Sequence, residues 1–125
     1  MKNIIPYKLF ESSDYLSVMQ YIKDILLELQ DDGLLVEIGT SDEKNNFWGF
    51  TYINARIDGN LYDVKKYMDT ILSVNDYCLS VGFYIYGIWV GSGISREDYN
   101  LLEFEKAVSN DKCNKAPIII MIRQK

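Results

Sequence analysis

The chain has 125 residues, of which 48% are hydrophobic and 25% are charged, a composition that fits one folded domain and excludes a disordered chain. Its formal net charge is −5, and because Lys2, Lys8 and Glu11 give the first 11 residues a charge of +1, the remainder carries −6. Such an acidic chain, with Lys65–Lys66 as its only adjacent basic pair, is poorly suited to neutralise phosphates. We therefore expect a protein partner and disfavour nucleic acid.

The chain opens with an apolar, slightly basic leader, residues 1–12, ahead of a single domain over residues 13–125. The leader lacks the apolar core and the small-residue cleavage site of a signal peptide, so export is not indicated. Its end, Leu9-Phe10-Glu11 followed by Ser12, resembles the apolar-any-Glu sites that the prohead protease of large tailed bacteriophages cuts. The leader as a whole resembles a capsid-targeting peptide of that family, and the opening resembles those of small accessory proteins of such phages.

This resemblance implies cleavage between Glu11 and Ser12 during head maturation. The alternative is a structural leader, which packs on the domain as a strand or as a hydrophobic staple before a helix. A phage accessory protein would act in the cytoplasm of the host cell, whereas a targeted head protein would lie in the virion interior.

In the first half of the domain, the spacing of apolar residues predicts a helix followed by a hairpin. Residues 12–14 favour helix N-caps, and apolar residues then recur at helical spacing from Tyr15 to Leu29, until Gly33, which suits a left-handed C-cap. Alternating residues 34–40 predict a strand, and a polar loop joins it to a second strand, residues 47–57, in an antiparallel hairpin.

The second half predicts a helix, a strand, a short helix and a final strand. Residues 64–79 carry a helical stripe that Gly82 ends, and residues 83–90 are aromatic and β-branched, as in a strand. Ser95 resembles an N-cap for the short helix, residues 95–108. The continuous apolar run of the last strand, residues 118–123, indicates burial on both faces or a central place in the sheet.

The predicted order is α-β-β-α-β-(α)-β. It indicates an α+β two-layer sandwich, in which two helices cover one face of a mainly antiparallel sheet of about four strands. The longest apolar runs, such as residues 116–122, are far below the roughly 20 residues that a membrane-spanning helix needs, so we expect a soluble protein with no membrane partner.

Catalytic signatures are missing from the sequence. There is no histidine, which removes the commonest general base and metal ligand, and Cys78 and Cys113 form no CxxC pair. The carboxylates form no calcium-loop pattern, and acidic residues at helix starts and on solvated faces explain them. We therefore expect no enzyme, no catalytic residue, no metal and no cofactor, and two buried or idle thiols.

A glycine-rich turn follows the third predicted strand. Gly91, Ser92, Gly93 and Ser95 lie between that strand and a helix, where free backbone amides can cradle an anion. The spacing matches neither GxxxxGK[ST] nor GxGxxG. Both an ordinary turn and a nucleotide or anion site are compatible with it.

Aromatic residues concentrate on the predicted sheet. Trp48, Phe50 and Tyr52 share one face of the second strand, and Tyr84 and Tyr86 share one face of the third. If the helices cover this face, the residues are core; if it is open, aromatic residues without basic neighbours indicate a protein interface. RNA stacking would require accompanying positive charge.

Three functions are compatible with these patterns. The leading hypothesis is a non-enzymatic phage-type protein that binds a host or virion protein through its acidic surface or an aromatic patch, and so inhibits a host defence. The second is an internal head protein with a cleavable leader, and the third is a small-ligand or nucleotide-binding module that uses Gly91–Ser95. The oligomeric state is not predicted.

Overall fold

The computed structural model describes residues 4–41, 49–59, 64–91, 96–110 and 117–125, with the backbone alone for residues 4–14 and 64–66. The helices within these ranges are α1 (Ile4–Ile25), α2 (Leu27–Asp31), α3 (Val64–Ser80) and α4 (Leu101–Ser109). The strands within them are β1 (Leu35–Ser41), β2 (Tyr52–Asp58), β3 (Phe83–Val90), β4 (Glu97–Tyr99) and β5 (Ile118–Gln124).

The strands form one antiparallel sheet in the order β1-β2-β5-β3-β4. The predicted β1–β2 hairpin is confirmed, with Leu35 opposite Asp58 at one end and Ser41 opposite Tyr52 at the other. The central place predicted for the last strand is also confirmed, because β5 lies between β2 and β3. The α+β fold class is correct, although the described sheet has five strands rather than about four.

The helices pack on one face of the sheet, which we call the covered face. Buried apolar residues recur along the helices at helical spacing, and together with one side of the strands they form a single core. From the helices the buried residues include Val18, Ile22, Leu26, Leu29, Met68, Ile71, Val74, Cys78 and Phe104. From the strands they include Ile53, Ala55, Ile57, Phe83, Ile88, Val90, Ile118, Ile120 and Ile122.

The first helix differs from the prediction at both ends. It begins at Ile4, so the N-cap predicted at residues 12–14 is wrong, as is the strand considered for the leader. Pro6 is tolerated in the first turn, where its missing N–H costs no helical bond. At Leu26 the helix is interrupted, and α2 continues to the predicted stop at Gly33, whose φ of 93° is left-handed.

The segment after β3 also differs. Residues 97–99, predicted within a helix that starts at Ser95, form β4 instead. The helix starts at Leu101, where the Glu103 N–H donates to Asn100 Oδ1 at 2.8 Å and the Asn100 N–H donates to Glu103 Oε1 at 2.9 Å. This capping box satisfies two backbone donors at the start of the helix, and the predicted cap at Ser95 lies outside the described residues.

Candidate interface on the open face of the sheet

The second face of the sheet, which we call the open face, is built by the residues that alternate with the core. On β2, Ile53, Ala55 and Ile57 are buried under the helices, so Tyr52 and Arg56 point to the opposite side. On β5 the same alternation sends Ile119, Met121 and Arg123 to that side. No helix in the described part of the chain covers it.

A β-bulge in β3 decides which of its residues reach the open face. Ile85 lies opposite Ile122 and Gly87 lies opposite Met121, so Tyr86 is an extra residue without a partner position. The extra residue shifts the alternation by one, and Ile88 and Val90 rather than Trp89 are buried. Trp89, which the sequence analysis did not select, therefore joins the open face; Gly87, an isolated glycine inside a strand, is the signal that pointed to the bulge.

The predicted aromatic residues meet on this face. Phe50 contacts Tyr52 at 6.0 Å and Tyr86 at 5.4 Å between ring centroids, both edge-on. Tyr84 lies opposite Arg123 on the same side. Phe50, Tyr52, Tyr84 and Tyr86 all lie outside the helix-covered core, so the interpretation of these residues as core is wrong. Trp48 falls outside the described residues.

Arginines accompany these rings, contrary to the expectation of an aromatic face without basic neighbours. The Arg123 guanidinium carbon lies 3.9 Å from the Phe50 ring centroid, and that of Arg96 lies 4.3 Å from the Trp89 ring. Carboxylates balance this charge, because Arg56 pairs with Asp58 and Arg96 pairs with Asp98, each at 3.2 Å. The open face is therefore amphiphilic and locally neutral, and it is not a basic patch.

The open face also contains two depressions. A shallow depression of about 390 Å³ extends from β1 across β2 and β5 to β3, and its lining includes Glu37, Gly39, Tyr52, Trp89 and Met121. Met121 is only 1% exposed although it points away from the helices, so its neighbours on this face cover it. A second depression of about 410 Å³ lies between β3 and β4, beside Tyr86 and Arg96. Both depressions are lined by a mixture of apolar and polar side chains, so they could receive apolar and charged side chains of a partner.

The glycine-rich turn is described only at its first residue. Gly91 has a φ of 85°, and its N–H donates to the Pro117 carbonyl at 3.0 Å. That amide is therefore engaged within the protein and does not point at an anion. Ser92, Gly93 and Ser95 lie outside the described residues.

The remaining predicted positions lie on helices. Glu11 and Ser12 are inside α1, so a protease that binds its substrate as an extended segment would first have to unwind this helix; the cleavage itself stays a prediction. Cys78 is buried on α3, and burial raises the pKa of its thiol to about 12, which keeps it protonated and unreactive. Cys113 falls outside the described ranges.

The described residues form neither a metal-binding cluster nor a membrane-spanning helix. Within the described ranges, no three cysteine or carboxylate side chains lie close enough together to hold a metal ion. None of the helices described is both long and apolar enough to span a bilayer. No protein-family model, curated protein or solved structure matches the chain.

Proposed function

We propose that this protein acts by binding another protein, which docks on the open face of the sheet. The observation that carries the proposal is the position of Phe50, Tyr52, Tyr86 and Trp89 on the side that no described helix covers. The solvated face of an antiparallel sheet is ordinarily polar. A face that presents aromatic residues and arginine has instead the composition of an interface core.

The charges on this face favour a protein over a nucleic acid. A nucleic-acid site gains affinity when uncompensated cations neutralise phosphates. Here Arg56 and Arg96 each face a carboxylate at 3.2 Å, and Arg123 lies on the Phe50 ring at 3.9 Å. The net charge of −5 adds a general repulsion of phosphates.

The leader directs the search for the partner. Its resemblance to capsid-targeting peptides of large tailed phages places host and virion proteins first among the candidates, and inhibition of a host defence is the activity that such binding would produce. The proposal needs no catalytic step, and it assigns the host cytoplasm as the place of action.

The experiment is affinity capture from bacterial lysate with three proteins: wild type, Tyr86→Asp and Leu102→Asp. Tyr86 lies on the open face of the sheet and Leu102 is exposed on α4, so the same charge is placed once on the sheet and once on a helix. We expect a specific protein that wild type and Leu102→Asp retain and that Tyr86→Asp loses. Nuclease treatment should not change this result.

Two outcomes would contradict the proposal. One is the same set of captured proteins for all three variants, which would place the docking surface elsewhere. The other is capture of nucleic acid that nuclease removes together with every bound protein. Thermal unfolding of each variant controls for loss of the fold.

A further inference from the structure

The two edges of the sheet differ in how well they resist further strand pairing. The β4 edge has three residues, and two of them, Glu97 and Asp98, are carboxylates. The β1 edge has seven residues, Leu35–Ser41, with no proline or cation and with Glu37 as its only charge. Short and charged edges prevent pairing, whereas long and apolar edges invite it.

The direction of the β1 backbone groups follows from the ladders. In an antiparallel pair, both backbone groups of a residue point to the same side, and the side alternates along the strand. The Gly91 N–H donates to the Pro117 carbonyl at 3.0 Å and the Lys125 N–H donates to the Gly82 carbonyl at 2.9 Å, so odd-numbered residues of β5 bond to β3. Even-numbered residues of β5 therefore bond to β2.

The same alternation carries through β2 to β1. Ile122 lies opposite Ile53, so Ile53 bonds to β5, and its neighbour Tyr52 bonds to Ser41 on β1. Counting back along β1, the backbone groups of residues 36, 38 and 40 point away from β2. Gln30 Nε2 donates to the Val36 carbonyl at 3.4 Å, which independently places that carbonyl at the outer edge.

No described residue occupies the second half of the outer edge. Among the residues that the structure describes, none bonds to the backbone N–H or C=O of Ile38 or Thr40 on this side. These groups form the template on which an extended segment adds as a further strand.

Depressions flank the edge on both faces. On the covered side, a depression of about 200 Å³ is lined by Leu16, Met19, Gln20, Lys23 and Ile38, and Leu16 is 67% exposed. On the open side, the larger depression already described begins at Glu37 and Gly39. Because side chains of an added strand alternate between the two faces, each depression would receive every second side chain.

The glycine at position 39 leaves room for such a segment, and the backbone conformation there does not itself require glycine. Its φ is not positive, and a Cβ added there would meet only Asn54 Oδ1, at an ordinary contact distance of 3.8 Å. Glycine weakens a strand, so its place here is better explained by close approach of another chain. Its neighbour on the open face is the exposed Glu37 carboxylate.

We propose that β1 is the docking edge for an extended segment of a partner protein, with an apolar side chain over Ile38 and a lysine or arginine facing Glu37. A second copy of this chain fits less well. β1 contains no cation, so pairing two copies would bring both Glu37 side chains to the same face of chains that each carry a net charge of −5. This edge borders the open face and shares one depression with it, but the pairing of its backbone groups does not depend on the role of the aromatic residues there.

The test is selection of peptides from a random display library whose members have the length of β1. We expect selected peptides in which apolar β-branched residues alternate with lysine or arginine. Glu37→Lys should weaken the binding of a synthesised selected peptide by about tenfold or more. The matched control is Glu97→Lys, the same charge change at the β4 edge, which should leave binding unchanged.

Thr40→Pro tests the backbone contribution. The Thr40 N–H points outward, so proline there removes an edge donor while leaving the β1–β2 bonds, and peptide binding should fall by about tenfold. The proposal is overturned if no peptide is selected, if selected peptides bind Glu37→Lys and wild type equally, or if the wild type is a dimer that Thr40→Pro converts to a monomer. Tyr86→Asp should leave peptide binding intact. This variant therefore distinguishes failure of the β1 docking proposal from failure of the proposed docking on the open face.

Discussion

The covered and open faces of the sheet are built from the same strands and differ in what lies above them. On β5, Ile118, Ile120 and Ile122 point to the helices, whereas Ile119 and Met121 point to the open side. The covered residues join one core of many contributors, and the open ones depend on a thinner layer of rings and arginines. A continuous apolar run can thus serve stability on one side and recognition on the other.

The largest expected difference between the two faces is in the stability lost when two adjacent isoleucines, one on each face, are replaced. Ile120→Ala should lower the free energy of unfolding by about 2–5 kcal/mol, since it leaves a cavity between the sheet and the helices. Ile119→Ala, at a half-buried position on the open face, should cost about 1 kcal/mol. Urea denaturation of both variants measures the difference, and equal losses would mean that the two faces are packed alike.

Met121 offers a sharper comparison, because it is 1% exposed on the side without described helices. Met121→Ala should cost about 2 kcal/mol, the low end of the range for core positions, since the side chains covering it can move into the space. The same urea series measures it, with Ile120→Ala as the reference. A loss as large as that of Ile120→Ala would show that the open face is as rigidly packed as the core.

The pH dependence of stability tests whether water is excluded from Cys78 on the covered face. Burial raises the pKa of its thiol from 9.0 to about 12, so between these values the unfolded chain loses the proton first. Stability should therefore be unaffected below about pH 9 and then fall as the pH rises, by at most about 1.4 kcal/mol per pH unit. Denaturation of wild type and Cys78→Ala across this range isolates the contribution, because the variant lacks it; parallel pH profiles would indicate that water reaches the thiol.

The smallest effect is expected from the ring contacts of the open face. The Arg123 guanidinium carbon lies 3.9 Å from the Phe50 ring centroid, which should contribute about 0.5–1 kcal/mol. A double-mutant cycle of Arg123→Gln with Phe50→Leu measures this coupling. Arg96→Gln, whose contact is with Trp89, serves as the control and should not couple to Phe50.

Local patterns were sufficient for much of the fold. The aromatic and β-branched run predicted β3 with the bounds found, and the unbroken apolar character of residues 118–122 predicted a central strand. The predictions of helix starts failed where more than one segment has residues that favour an N-cap. Residues 12–14 suit an N-cap but lie inside α1, and Ser95 competed with Asn100, whose bond with Glu103 closes a full capping box.

The candidate interface could be predicted only in part. Alternation placed Phe50 and Tyr52 on one face, but it could not say which face the helices cover, because both sides of the sheet are apolar or aromatic. Trp89 was missed since its side depends on the bulge at Tyr86, and a single extra residue reverses every later position of the strand. Arg123 was missed because it is distant in sequence from Phe50, and Arg96 was missed because residues 97–99, which pair with β3 beside Trp89, were predicted as helix.

The central place of β5 has a consequence for the order in which the protein forms. Ile122 lies between Ile53 and Ile85, so β5 joins the β1–β2 hairpin to β3 and β4. Until residues 118–124 are in place, neither β2 nor β3 can form the pairing with β5 that it has in the folded sheet. Folding must then close a contact between distant parts of the chain, which is slow for antiparallel sheets. Before β5 is in place, the unpaired edges of β2 and β3 are therefore the sites at which we expect aggregation.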